Sequence, residues 1–226
     1  MQNLFLFLLF FCVNFPLFAQ KVNYDEIRFI VQNPNSSYYY ERLFPRYLVN
    51  DTSLTLADYH YLYYGYAFDE DYDPNFIAKE KIEIKKYLSL RKMQADDYAK
   101  VILLCKEVLA QIPFDIESLF LLASCYENLG NFTEARHYRL KLNRILAVIY
   151  RSGDAQTKNT AMYVIYPLDA KMVARKMGFE PSEEKLAEMC NFYKIARNKQ
   201  KIKGLYFNIE PLFEYKHIAG AIYSKR

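Results

Sequence analysis

Asp69, Asp71, Asp73 and Glu80 occupy positions one, three, five and twelve of a calcium-loop spacing, and oxygen ligands so placed can wrap a hard cation. Position six of such a loop turns sharply and wants glycine. Here it is Pro74, whose ring fixes φ near about −65°. An acidic, solvated loop between helices is therefore expected, and no metal ligand set. His60, His137 and His217 have no partner at helical ligand spacing, and neither a CxxC nor an HExxH pattern occurs. With 6 glycines in the chain there is no glycine-rich phosphate loop and no Gly-x-Ser-x-Gly elbow. These residues thus nominate no catalytic group and no cofactor. Carboxylates that converge only on folding are the one enzymatic route that spacing does not reveal.

Other side chains suggest binding. The 22 tyrosines invite a sugar-stacking platform, but there is no Trp, and the tyrosines fall at helical spacing, which places most of them in a core. Lys194, Arg197, Lys199, Lys201 and Lys203 crowd one polar stretch, expected to be a solvated loop that protects a sheet edge; an anionic envelope surface is the alternative contact. Of the 4 cysteines, Cys105, Cys125 and Cys190 would remain after cleavage of an apolar leader, and an odd number in an oxidising compartment is not a disulfide frame. Cys105 and Cys125 fall on helices expected to pack together; two buried thiols are expected there, with a disulfide the alternative.

The positioning elements follow from periodicity. Apolar residues recur at helical spacing over residues 24–32, 38–49 and 56–68, the last opened by a Thr55/Asp58 cap. A 34-residue frame over residues 82–115, repeated over 116–149, aligns two helical hairpins in the manner of tetratricopeptide repeats. In the second frame Leu119, Leu122, Ala123 and Tyr126 take the large, large, small and aromatic positions, Gly130 makes the turn, and Ala135 is the small contact of the second helix. The first frame keeps Leu88, Ser89, Tyr98, Val101 and Pro113. Arg139 stands where an aromatic is expected, Lys85 replaces the first large apolar residue, and Ala147 replaces the closing proline. If the repeat geometry holds, Glu117, Phe120, Ser124, Glu127 and Asn128 face a shallow partner groove. Beyond residue 154 the pattern turns to strands at 161–166, 192–196 and 205–209, the last two joined by the basic loop, with a short helix at 169–177 ended by Gly178. The expected fold is α+β, mainly helical: helical hairpins followed by a small antiparallel sheet packed on them.

Thr55-Leu56-Ala57-Asp58-Tyr59, Leu62-Tyr63-Tyr64-Gly65-Tyr66-Ala67-Phe68, Tyr72, Pro74, Ser152-Gly153-Asp154, Thr160-Ala161-Met162-Tyr163-Val164-Ile165 and Gly204-Leu205-Tyr206-Phe207-Asn208 together resemble a family of uncharacterised bacterial secreted proteins, domain of unknown function 4919. The resemblance spans nearly all of the chain after residue 20 and implies export. It implies no activity, cofactor or catalytic residue.

Residues 4–13 are an unbroken apolar run followed by Pro16 and Ala19, the pattern of a signal peptide cleaved after Ala19. Such a run is about half the length of a permanent membrane span. Bulky Phe11 before Cys12 argues against lipidation. The expected organisation is a signal peptide at 1–19, a helical body at 20–150 containing two tetratricopeptide-like units at 82–149, and a small α+β part at 151–226. The net charge of +4 lies wholly beyond the leader, but export excludes nucleic acid as the partner. The expected protein is exported to the periplasm, cell surface or exterior, does not span a membrane after cleavage, and is a non-enzymatic module that binds an envelope protein. The alternatives are an envelope enzyme with a carboxylate site, or a calcium- or glycan-binding module.

Overall fold

The structure is a computed structural model that describes residues 21–187 and 189–211. The signal peptide expected at 1–19, with its expected cleavage after Ala19, and His217 lie outside the described residues. The helices run α1 (Tyr24–Val31), α2 (Tyr40–Leu48), α3 (Leu56–Gly65), α4 (Glu80–Leu88), α5 (Ala95–Gln111), α6 (Ile116–Asn128), α7 (Phe132–Ser152) and α8 (Asp169–Lys176). The strands are β1 (Met162–Tyr163), β2 (Pro181–Ala187), β3 (Cys190–Ile195) and β4 (Gly204–Asn208).

Local chemistry sets the helix ends. At α3 the Thr55 amide donates to Asp58 Oδ2 at 2.7 Å and the Asp58 amide donates to Thr55 Oγ1 at 3.2 Å, so two otherwise unpaired N–H groups are satisfied. Asn23, Asp115 and Asn131 cap α1, α6 and α7 in the same way from one side. Between α6 and α7, Gly130 stands at φ 73°, the left-handed conformation that glycine adopts without cost. The first expected hairpin is shorter than its repeat frame: α4 ends at Leu88, and the chain is not helical again until Ala95.

Tyr59, Leu62, Tyr63, Tyr64 and Gly65 are all buried, so α3 is covered on most sides and stands at the centre of the body, against α1, α2 and α7. Its last turn tightens to a 3-10 helix at Tyr66–Phe68 rather than continuing as α. Tyr47, Tyr63 and Tyr66 surround Phe114, with ring centroids 4.8, 5.9 and 5.4 Å from it. The tyrosines are thus core side chains that still carry hydroxyls, and those hydroxyls need partners.

Their partners join the two parts of the chain. Tyr64 donates to the Tyr163 carbonyl at 3.3 Å, Tyr72 donates to the Ile165 carbonyl at 2.5 Å, and the Ile165 amide donates to the Tyr63 hydroxyl at 3.3 Å. Ser152, the last residue of α7, accepts from the Tyr163 amide at 2.9 Å. This explains why the strand expected over 161–166 is paired only at Met162 and Tyr163: side chains of the helical body take the Ile165 backbone groups that a ladder would otherwise use.

The sheet order is β1-β4-β3-β2. It is antiparallel through β2, β3 and β4, with the expected hairpin between β3 and β4, and β1 adds a parallel pair beside β4, so the sheet as a whole is mixed. Strand β2 has no counterpart in the sequence reading. It is an edge strand with Ser182, Glu183, Glu184, Lys185 and Leu186 exposed, and edges favour charged residues that discourage pairing with another chain. One hydrophobic cluster runs from Val22 in the body to Ile209 beyond β4, so the sheet and the helices share a core.

Candidate functional site

The five groove residues are placed on α6 at i, i+3, i+7, i+10 and i+11, which is one face of the helix. Glu117, Phe120, Ser124 and Glu127 are half-buried and Asn128 is exposed. Each has a definite neighbour. Glu117 Oε2 is 3.5 Å from Lys81 Nζ of α4. Lys176 of α8 holds its Nζ 3.2 Å from the centre of the Phe120 ring, a cation–π contact. Glu127 accepts from Arg139 of α7, with Nε at 2.9 Å, and Asn128 donates to the Ser124 carbonyl at 2.8 Å. Arg139, the residue out of place in the repeat frame, thus braces the face across the hairpin. The strip is a fixed sequence of alternating charges around one aromatic ring, and α8 leans over its N-terminal half.

At the base of that face lies a buried polar cluster. Asp115 accepts from the Ser118 amide through Oδ1 and pairs with Lys81 through Oδ2. Asp169, at the start of α8, accepts from the Ile116 amide at 3.4 Å through Oδ1, while its Oδ2 has no hydrogen-bond partner. Burial, then the nearby Asp115 carboxylate, push the Asp169 carboxyl well above the usual carboxylate range, outweighing Lys81 and the Ile116 amide. Two carboxylates therefore do converge. Asp115 and Asp169 are only 4% and 3% exposed, so they face the interior rather than a substrate-sized opening.

A concavity of about 260 Å³ opens between α3 and the end of α7. Tyr38 and Tyr61 stack along it at 4.2 Å, and His60, Tyr64, Arg151 and Ser152 are its other polar lining residues. Burial lowers the His60 pKa, so its imidazole is neutral at pH 7. Sequence reasoning missed this cleft because its aromatic pair comes from separate elements.

Of the calcium-spaced residues, Asp69, Asp71 and Asp73 line one concavity together with Gln111, and Glu80 is not part of that lining. Asp69 Oδ1 accepts from the Asp71 amide at 3.0 Å, Asp73 Oδ1 accepts from the Asn75 amide at 2.9 Å, and Glu80 accepts from Gln111 at 3.1 Å. Among the described residues no group of three or more His, Cys, Asp and Glu side chains is placed to hold a metal ion. Cys105, Cys125 and Cys190 are buried, and Cys105 and Cys125 are not joined by a disulfide. Lys194 lies on β3, paired with Glu183, and the other basic residues lie on the β3–β4 loop.

The clamped strand, the tyrosines that clamp it and the Ser152 turn are the segments that carry the family resemblance, here assembled into one structural unit. A family model described as a domain of unknown function (DUF4919) matches residues 25–217. The chain belongs to this family. No curated protein and no solved structure matches it. The matched span takes in both the helical body and the sheet, so the clamp joining them falls within the family's domain.

Proposed function

We propose that the protein is exported to the cell envelope and works there as a non-enzymatic interaction module, engaging an envelope protein through the α6 face of Glu117, Phe120, Ser124, Glu127 and Asn128. The observation that carries this reading is that the face is half-exposed yet braced by Lys81, Arg139 and Lys176 from three other helices. Side chains already held in place lose little freedom on binding, which leaves more of the contact energy for affinity. Taking α4–α5 and α6–α7 as two tetratricopeptide-like units belongs to the same proposal. Export rests on residues 4–13 and Ala19. Among the described residues no helix is long and apolar enough to cross a membrane, in keeping with a partner met outside the bilayer.

A photo-crosslinking amino acid at position 124, in cells fractionated into cytosol and envelope, tests both halves. The expected result is one envelope adduct that Phe120→Ala and Glu127→Ala abolish, on a chain that begins after Ala19. Adducts unaffected by either substitution remove the α6 face from the proposal. Recovery of residues 1–19 on cytosolic protein removes export.

A further inference from the structure

Along the buried stripe of α7 one residue is out of character. Lys141 is 7% exposed, its Nζ lies 4.2 Å from the centre of the Tyr47 ring, and among the described residues it has neither an ion pair nor a hydrogen bond. It lines a cavity of about 190 Å³ together with Tyr47, Asn50, Lys106, Pro113 and Tyr138. Asn50 stands at φ 61° and its Oδ1 is buried with no hydrogen-bond partner, so a second polar group there is unsatisfied. The Tyr47 hydroxyl is committed to the Pro113 carbonyl at 2.7 Å. The titratable groups of the lining are Lys106 from α5, Tyr138 and Lys141 from α7 and Tyr47 from α2; no carboxylate is among them.

A buried ammonium with no counter-ion loses its proton readily. Burial alone brings Lys141 down to about 8, so about a tenth of it is free amine at neutral pH. We propose that Lys141 is a covalent binding site for small carbonyl compounds that carry an anionic group, 2-oxo acids and related aldehydes. The amine nitrogen adds to the carbonyl carbon, and the carbinolamine then breaks its C–O bond. The hydroxyl departs as water with a proton passed by the Tyr138 phenol, and the N–H proton of the resulting iminium returns to the phenolate, leaving a neutral imine and a restored phenol. Lys106 pairs with the anion. The site is separate from the α6 face and does not depend on it.

The full chain is incubated with glyoxylate and cyanoborohydride, which reduces any imine to a stable secondary amine, and the lysines are mapped by mass spectrometry. The expected result is that Lys141 is alkylated about tenfold or more faster than the typical surface lysine at pH 7, with a rate that climbs through about pH 8. Lys106→Gln slows glyoxylate trapping but not formaldehyde trapping. Lys141 reacting no faster than surface lysines overturns the proposal, and this readout needs no variant. Equal effects of Lys106→Gln on the two aldehydes overturn the anion-pairing half.

Discussion

Replacing Asp169 by asparagine should make the protein more stable at neutral pH, although it removes a charge from a cluster containing Lys81. The folded state holds the Asp169 carboxyl far above its ordinary pKa, by burial and by the Asp115 carboxylate, whereas the unfolded chain ionises it near about 3.9. Between those two values the folded protein binds more protons than the unfolded one. Stability is therefore present at low pH and falls as pH rises through that window, by about 1.4 kcal/mol for each pH unit. In the Asp169→Asn variant the carboxamide has nothing to ionise, keeps an oxygen for the Ile116 amide, and offers an N–H where Asp169 Oδ2 now has no partner. Urea titrations of both proteins from pH 4 to 7 give the comparison. The difference in unfolding free energy, variant minus parent, should grow with pH along that slope and level off where Asp169 ionises in the fold. A difference that stays constant across the range would refute the burial argument, since only a titrating group yields a pH-dependent gap.

Three other outcomes follow from the packing. Tyr63→Phe and Tyr72→Phe each leave an Ile165 backbone group buried without its partner, and each should cost about 1–3 kcal/mol in urea unfolding, while Tyr39→Phe at the surface costs little. Gly153→Ala places a methyl 2.3 Å from the Thr160 carbonyl oxygen, a backbone atom that yields only if the α7–β1 turn moves. A loss of about 3 kcal/mol or more is expected, against about 1 kcal/mol for Gly130→Ala, where only the left-handed φ is at stake. Cys125, raised to about 11 by burial, and Cys105, raised further for the same reason, should resist an aromatic disulfide reagent at pH 8 until the protein is unfolded; rapid labelling of the native fold would contradict their burial.

The helices were legible because each carries its own evidence: Thr55 and Asp58 close a cap within four residues, and the α6 stripe of Leu119, Leu122, Ala123 and Tyr126 repeats at the helical period. The β3–β4 hairpin was legible for the same reason, with apolar alternation on both sides of a polar loop. Strand β2 was not, because an exposed edge lacks the buried face that produces alternation. The brief pairing of β1 was hidden because the groups that take its backbone, Tyr63, Tyr64 and Tyr72, lie about ninety or more residues earlier. At the candidate site, the shared face of Glu117, Phe120, Ser124, Glu127 and Asn128 follows from helical geometry alone, but Lys176 over Phe120 and Arg139 on Glu127 do not. Nor does any local pattern mark Lys141 as a lysine without a counter-ion, since that depends on what α2 and α5 bring against it.

By itself the sequence determined the mainly helical α+β class, the Thr55 cap, the β3–β4 hairpin, and the family to which the chain belongs, all written in residues near one another along the chain. Only the tertiary structure decided that the tyrosine-rich helix clamps the Tyr163–Ile165 backbone, that α8 leans across the α6 face, and that Asp169 and Lys141 are buried. Desolvation and hydrogen bonding depend on which distant segments share a volume, and periodicity along a single chain carries no record of that.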